Sequence, residues 1–347
     1  MSTCFENSTR RISFRYDILQ GEIKIGEAKV LSGHISYNSD NLIKRTASFE
    51  LLPAGIDFIR NQLRVVAIID GKEHVLGTFI LSSPSIKHRP AGKTCTVEAY
   101  DRTLILKEDC FTEMKCFPKN TRYDTVISDI LLSAGIEAII QPIPITLPAA
   151  REYEIGTSKL DAINELLDEI NYNPIIADEN GSFVVSKYSR PGFASVRHEY
   201  IADEFSVISS DYESEADCFA IPNVFIACCD NPEMSETYFS VFENTDPASK
   251  LSTTYRGRRI VSEIYNPSFV DSQAALDEYV RRKAYEESSV FDKLSINTAI
   301  MPDHGYRDVI HISNDTYDDY FLEKSWEMDL AAGGYMNHTL VGVQAYV

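Results

Sequence analysis

The sequence lacks the hallmarks of membrane, secreted and redox proteins. No apolar run among its 347 residues approaches the ~20 residues that a membrane-spanning helix needs. Its first residues, MSTCFENSTRRISF, show no apolar core of a secretory signal. Its seven cysteines have no CxxC or CxxH spacing, which predicts free, mostly buried thiols in a reducing compartment. The hydrophobic content of 44% predicts a globular protein, and the length of 347 residues allows two or three domains.

Signatures of enzymes are also missing. The chain has no GxSxG elbow and no HExxH motif. Asp303-His304 could belong to a catalytic dyad, but it lies in a Pro-Asp-His-Gly turn without a Ser or Cys motif, so we interpret it as a polar loop. The seven histidines are scattered, at His34, His74, His88, His198, His304, His311 and His338. We therefore expect no enzyme activity, no zinc site and no cofactor.

Two other groups of reactive side chains favour structural roles. Cys228 and Cys229 are adjacent at the end of an apolar strand, where they point to opposite faces, so packed thiols are expected in place of a strained disulfide. Asp315, Asp318 and Asp319 form an acidic turn that could hold a cation. The turn lacks the D-x-D-x-D-G order of a calcium loop, so no metal is expected there.

Negative charge is concentrated in the last part of the chain. The formal charge is −19, and residues 196–347 contribute 11 Lys/Arg against 27 Asp/Glu, a net of −16. Residues 1–110 carry a net of +2 and residues 111–195 a net of −5. This excludes binding to a nucleic-acid backbone through the acidic part, because such binding requires cations. An acidic surface can instead let DNA pass without sticking, or it can simply confer solubility.

The acidic part contains two basic clusters. They comprise Arg256, Arg258 and Arg259 in the first and Arg281 and Arg282 in the second. One interpretation is that these side chains meet carboxylates of a neighbouring copy as intersubunit contacts. The alternative is a solvated face whose local ion pairs contribute little.

The first third of the chain alternates in the manner of antiparallel strands. Asp70-Gly71 is a favoured hairpin turn, and Gly77 is expected to mark a bulge. The segment Ala54–Asn61 is expected to form one or two helical turns. The predicted strands are Thr46–Leu51, Arg64–Ile69, Lys72–Leu81 and Thr94–Tyr100. Residues 1–110 are thus predicted to form a small antiparallel barrel or sandwich.

The middle of the chain, residues 111–194, predicts an α/β unit. One amphipathic helix begins near Tyr123 and is expected to stop at Gly135. A second helix covers residues 159–171, and a hairpin with an Asn180-Gly181 turn follows it. The predicted N-caps are Thr121 and Ser158. An insert of this kind between two β units favours a structural, assembled protein over an enzyme built around one pocket.

Residues 195–347 return to β structure around one helix, predicted over residues 271–287 with Asp271 as its cap. Alternation in Leu322–Leu330 places Trp326 inward and Glu323 outward. The predicted strands are Asn223–Cys229, Thr237–Glu243, 294–300, Leu322–Leu330 and a last one near Met336–Tyr346. The whole pattern predicts an α+β, mainly β chain.

Four stretches in order carry a family resemblance. Residues 64–109 contain a hairpin of pattern DG…LG.F and end in YDR…L, and residues 155–188 place a capped helix before a D..G hairpin. Residues 255–287 contain a Y.GR turn, a strand and a helix starting DSQAA, and residues 322–340 form a closing hairpin with a Gly turn. This order and spacing resembles the baseplate hub proteins of tailed phages and phage-like injection machines, which include the late control D proteins.

The resemblance implies a homotrimer with two tube-type antiparallel β-barrel domains, residues 1–110 and 195–347, around the inserted domain. Such a trimeric hub adapts the hexameric tail tube to a threefold central spike or tip and leaves a channel for DNA or cargo. Its implied location is the virion tail or baseplate, assembled in the host cytoplasm. The implied partners are the tail tube or distal tail protein, the spike or tail-tip protein and the tape measure protein, without specific nucleic-acid binding or membrane insertion. Two alternatives are a tail-associated hydrolase hub and a distal tail or adhesin component that binds the host surface.

Overall fold

The computed structural model describes residues 10–90, 92–192, 196–201, 208–216, 219–231, 236–289, 292–314 and 317–343. Its strands are β1 (Ile12–Gln20), β2 (Ile23–Glu27), β3 (Lys29–Asn38), β4 (Arg45–Leu52), β5 (Gln62–Ile69), β6 (Lys72–Leu81), β7 (Ser85–Arg89), β8 (Gly92–Tyr100), β9 (Lys115–Phe117), β10 (Arg151–Tyr153), β11 (Ile176–Ala177), β12 (Phe183–Val184), β13 (Val196–Ile201), β14 (Ile208–Ala216), β15 (Val224–Cys229), β16 (Tyr238–Glu243), β17 (Val261–Tyr265), β18 (Asp292–Ala299), β19 (Val309–Ser313), β20 (Asp318–Asp329) and β21 (Tyr335–Gly342). The helices are α1 (Thr103–Glu108), α2 (Tyr123–Ser133), α3 (Lys159–Glu169), α4 (Thr253–Arg256) and α5 (Gln273–Ser288). Within these ranges, no helix is long and apolar enough to cross a bilayer.

One large sheet joins the two ends of the chain. Its main path runs β14-β18-β21-β20-β3-β4-β8-β6-β5-β1-β2, and the neighbours along it are antiparallel. The connection between the halves is the pairing of β3 with β20. Beside this path, β7 pairs with β8 and β19 with β20, while β13 pairs with β19 in parallel. The α+β, mainly β class is confirmed, whereas the division into two barrels stays a prediction.

The N-terminal strands follow the sequence pattern closely. The β5–β6 turn has positive φ at Asp70 (49°) and Gly71 (84°), as a tight hairpin of this type requires. The expected bulge is confirmed, because Val65 pairs with Gly77 while Val66 pairs with Val75, which leaves Leu76 as the additional residue. Of the one or two helical turns expected in 54–61, a single turn forms at the end of the segment, where the Arg60 and Asn61 backbone N–H groups donate to the Asp57 carbonyl. The Asn61 side chain accepts a hydrogen bond from the Asp57 backbone N–H.

The middle segment folds around its own core, in which α2 and α3 contribute their apolar faces. Ser158 is confirmed as the N-cap of α3, and its hydroxyl accepts from the Asp161 backbone N–H. Gly135 has φ of 72° just after α2, as predicted for its stop. The predicted cap Thr121 is wrong. Arg122 occupies that position without a side-chain bond, because the Thr121 hydroxyl donates to the Pro118 carbonyl.

A smaller three-stranded sheet, ordered β16-β15-β17, lies within the C-terminal part. Helix α5 packs against it and buries Leu276, Val280 and Ala284, which belong to the predicted inner face. Its N-cap is Ser272, whose hydroxyl accepts from the Ala275 backbone N–H, so the prediction of Asp271 as the cap is wrong by one residue. The last strand ends at Gly342, and the predicted continuation to Tyr346 lies outside the described residues.

A bulge in β20 changes the direction of one charged side chain. Glu323 pairs with Leu340 while Ser325 pairs with Thr339, which leaves Lys324 as the additional residue. Because a one-residue shift exchanges the two faces of a strand, Glu323 lies on the inner face with Trp326. The prediction of an outward Glu323 is therefore wrong, and its side chain is fully buried.

Candidate functional site

Three buried side chains from separate parts of the C-terminal half converge on one point. His304 lies in the loop between β18 and β19, Glu323 on β20 and His338 on β21, and all three side chains are fully buried. His304 Nδ1 is 2.8 Å from Glu323 Oε2, and His338 Nδ1 is 2.6 Å from Glu323 Oε1. Each carboxylate oxygen thus faces a different imidazole. Within the part of the chain that the structure describes, these are the three residues grouped closely enough to hold a metal ion.

Hydroxyl groups hold the far side of each imidazole. Tyr200 Oη on β13 is 2.7 Å from His304 Nε2, and Thr298 Oγ1 on β18 is 2.9 Å from His338 Nε2. The ring of His198 stacks on that of His304, with centroids 4.0 Å apart. These contacts fix both imidazole planes, because rotating either ring would leave a buried nitrogen without its partner.

The buried cluster alters the acidity of its members. Burial by itself raises the pKa of Glu323, but attraction to His304 and hydrogen bonds from His304 and His338 lower this pKa to about 2. Burial lowers the pKa of His338, although its hydrogen bond with Glu323 opposes that effect. The two imidazoles therefore keep Glu323 a carboxylate although it is buried.

A cavity of about 550 Å³ adjoins the cluster. Its lining includes His198, Tyr200 and Asp303. Asp303 also contacts the N-terminal half, where its carboxylate is 3.2 Å from His74 Nδ1. The expectation of a polar loop at Asp303-His304 thus describes Asp303, whereas His304 turns into the protein and joins the cluster.

Sequence reasoning missed this cluster, since its three members are 19 and 15 residues apart with no local motif. The only local signal was His304 in its Pro-Asp-His-Gly turn. Recognising the cluster also requires the bulge at Lys324, because regular alternation directs Glu323 to solvent. No local sequence signal predicts the bulge at Lys324.

The first basic cluster is bonded within its own part of the chain. Arg256 Nη1 donates to the Ile221 carbonyl at 2.8 Å. Arg258 donates to the Phe219 carbonyl, and its guanidinium lies 4.9 Å from the centre of the Phe219 ring. Arg259 is 3.2 Å from the Glu243 carboxylate, and its side chain is 60% exposed, so this ion pair contributes little to stability. Arg258 and Arg259 stay open to further contacts.

The second basic cluster divides into an exposed and a buried arginine. Arg281 is exposed on α5. Arg282 is buried and contacts the Asp168 carboxylate and the Tyr172 carbonyl of the middle segment. Burial raises the pKa of Asp168, but Arg282 and Lys283 outweigh this and lower it. The predicted intersubunit role does not fit Arg282, because its guanidinium is enclosed where α5 meets α3.

The remaining predicted groups lie apart from the cluster. Cys228 and Cys229 are free thiols, and Cys229 is buried against α5. In the acidic turn, Asp318 is 3.0 Å from His311 Nε2. Asp315 lies outside the described residues.

The protein is similar in fold to several solved structures, although its sequence matches no protein-family model and a comparison with curated proteins gives no match. Among solved structures, a tail protein from Neisseria meningitidis superposes with a TM-score of 0.69 at 13% identity, covering 96% of this chain and 98% of that one. The 43 kDa tail protein of prophage MuSo2 from Shewanella oneidensis gives 0.65 at 12% identity, covering 96% and 100%. A prophage tail protein from Listeria monocytogenes gives 0.58 at 13% identity, covering 94% of each chain.

These superpositions define the fold class. At such low identities they show a shared fold, and they extend over nearly the full length of both chains. An Escherichia coli component of the type VI secretion system, described as structurally similar to phage tail proteins, has a TM-score of 0.51. The chain thus has the fold of phage-type tail proteins.

Proposed function

We propose that the protein is a structural tail component, a trimeric baseplate or tail-tip hub that adapts a hexameric tail tube to a threefold spike or tip. The observation that carries this proposal is the full-length superposition on the Neisseria tail protein, with a TM-score of 0.69. A match of one domain would permit many functions, because a common domain occurs in unrelated proteins. Here the order of all the major parts is shared.

The charge distribution supports a channel through the assembly. Residues 196–347 carry a net charge of −16. A ring that turns part of this surface inward would repel the DNA phosphates and let DNA or cargo slide past. In this proposal the partners are two further copies of the chain, the tail tube or distal tail protein, the spike or tip protein and the tape measure protein. The protein would be assembled in the host cytoplasm and would reside in the virion.

Exposed arginines are the proposed counter-charges between copies. Arg258, Arg259 and Arg281 are exposed, whereas Arg256 donates within its own chain. These four arginines are the candidate intersubunit contacts, whereas Arg282 is buried within its own chain. The division into residues 1–110, 111–194 and 195–347 stays part of the proposal, with the middle domain inserted between the two that form the ring.

A non-enzymatic role is proposed for the same protein. The sequence contains no nucleophile elbow or phosphate loop. The described residues that line the 550 Å³ cavity include His198, Asp303 and His304 but no serine or cysteine nucleophile. The rival hydrolase hub predicts turnover of peptidoglycan that disappears in His304→Ala. The rival adhesin predicts binding to the host surface by the isolated chain.

The test is the mass of the purified chain by light scattering, alone and with a central spike protein, together with electron microscopy. The proposal expects a trimer and a ring with a central opening. A chain that stays monomeric at every concentration and salt, also with the spike present, contradicts the hub. A trimer without a central opening would be consistent with a structural tail protein but would contradict the proposed channel.

A further inference from the structure

We propose that His304, Glu323 and His338 form a binding site for one zinc ion that fastens the C-terminal strands of the sheet. The site is independent of the proposed hub function. Two imidazole nitrogens and a carboxylate are donors that zinc takes in proteins. All three side chains are fully buried, so the ion would have a structural role.

The donor atoms already converge. The ligand atoms of the three residues lie within 4.8 Å of one another. Glu323 Oε2 lies 2.8 Å from His304 Nδ1 and Glu323 Oε1 lies 2.6 Å from His338 Nδ1, so the carboxylate stands between the two imidazoles. With the carboxylate bidentate, the set supplies four donors, two nitrogens and two oxygens. Four is the coordination number of structural zinc sites.

The outer contacts have the form that metal ligands require. A ligating histidine normally donates its second N–H to a fixed acceptor, which sets its tautomer. His304 Nε2 has Tyr200 Oη at 2.7 Å, and His338 Nε2 has Thr298 Oγ1 at 2.9 Å. Both Nδ1 lone pairs would then be directed at the ion.

The ion would take the place of two hydrogen bonds. Without it, each oxygen of the Glu323 carboxylate is within hydrogen-bond distance of one imidazole Nδ1. A zinc ion would replace the protons of these two contacts as the common partner of Glu323 and both imidazoles.

The choice of zinc follows from the donors. Calcium takes six to eight oxygen ligands and magnesium an octahedron of oxygens. This site offers two nitrogens and one carboxylate, which excludes both as natural occupants. An ion here would link β20, β21 and the loop before β19 through side chains, in addition to the β20–β21 ladder and the backbone bond from the Glu323 N–H to the Asp308 carbonyl.

The test is the metal content of the full chain produced in zinc-supplemented medium and passed through a buffer with a chelator. We expect about one zinc per chain by mass spectrometry of the metals. Melting with a hundredfold excess of zinc over its dissociation constant should occur about 5 °C higher than after complete removal of the metal. Cobalt in place of zinc should give the visible absorption of a four-coordinate site.

Variants distinguish zinc bound by the buried cluster from zinc bound at the protein surface. His338→Gln and Glu323→Gln should lose the zinc, whereas the control His34→Gln, which removes a partly exposed histidine beside Asp329, should retain it. A wild-type chain that carries no zinc and melts at the same temperature with and without it would overturn the proposal, and the cluster would then be a hydrogen-bonded ion pair. Equal zinc content in His338→Gln and wild type would also overturn it. The zinc content and melting temperature of the wild type test the proposal even if a variant fails to fold.

Discussion

Trp326 of β20 stacks on Tyr37 of β3, with ring centroids 5.6 Å apart and planes 14° from parallel. The two rings lie where the C-terminal strands pair with the N-terminal strands, and Trp326 pairs with Tyr37 in the register of that ladder. Trp326 also belongs to the large core formed mainly by N-terminal residues. The contact therefore joins parts of the chain that are distant in sequence.

We expect Trp326→Ala to lower the free energy of unfolding by about 3–5 kcal/mol, because it removes a large buried ring and leaves a cavity. Trp326→Phe should cost less, since a ring remains to stack on Tyr37. The measurement is denaturant unfolding followed by circular dichroism. Tyr335→Ala is the control, because Tyr335 is 66% exposed and its loss should change stability by no more than about 0.5 kcal/mol. Equal effects of Trp326→Ala and Tyr335→Ala would contradict the role of this junction.

A second prediction concerns the neighbouring arginines of α5. Arg282→Met should destabilise the chain by about 2–3 kcal/mol, because it removes the hydrogen bonds that the buried guanidinium gives to the Asp168 carboxylate and to the Asp168 and Tyr172 carbonyls. Arg281→Met should have an effect within about 0.5 kcal/mol, since Arg281 is exposed. Thermal and denaturant unfolding of both variants make the comparison. If Arg281→Met proves the more destabilising of the two, the assignment of Arg282 to the interior is wrong.

Much of the fold could be predicted from local pattern. The β5–β6 hairpin and the Ser158 cap depend on residues adjacent in sequence, and both are confirmed. The histidine cluster could not be predicted, because it depends on strand pairing across long separations and on the bulge at Lys324. The misassigned Thr121 cap has a related cause, since its hydroxyl was taken by a carbonyl three residues earlier. Local chemistry thus predicted the elements, whereas their register determined which polar side chains meet.

Lys44 provides a prediction for pH dependence. Its ammonium donates to the Ser39 carbonyl at 2.7 Å, and burial lowers the pKa of Lys44 from 10.5 to about 8 although Asp40 and Asp101 raise it. Between pH 8 and 10.5 the unfolded chain holds this proton and the folded chain does not, so the contribution of Lys44 to stability rises with pH across that window. This contribution is lost as the pH falls from 10.5 to 8, and below pH 8 it changes no further because both states hold the proton.

The free energy of unfolding of the wild type, relative to Lys44→Met, should therefore increase by about 2–3 kcal/mol from pH 7 to pH 10. The comparison with Lys44→Met removes the contributions of the tyrosines, which titrate in the same range in both proteins. Denaturant unfolding at several pH values gives the difference directly. A constant difference between the two proteins, or one that falls as pH rises, would refute the inferred burial of the charge.

The last prediction concerns assembly. Each copy brings a net charge of −16 in residues 196–347, so copies in one ring repel each other unless salt or counter-charges intervene. Arg258 and Arg259 are exposed in that region, and the Arg259–Glu243 pair contributes little to folding. Changing both to Glu should weaken the trimer, most strongly at low salt, while each subunit keeps its unfolding temperature within a few degrees.

Sedimentation of wild type and the double variant at low and moderate salt measures this effect. The matched control is Arg60→Glu with Lys72→Glu, which makes the same change in net charge at exposed positions of the N-terminal part. If the interface uses the arginines, the control should sediment as wild type does. Equal weakening by both double variants would mean that total charge, and not a contact at Arg258 and Arg259, governs association. Trimers that persist unchanged in the Arg258/Arg259 variant at low salt would remove these two residues from the interface.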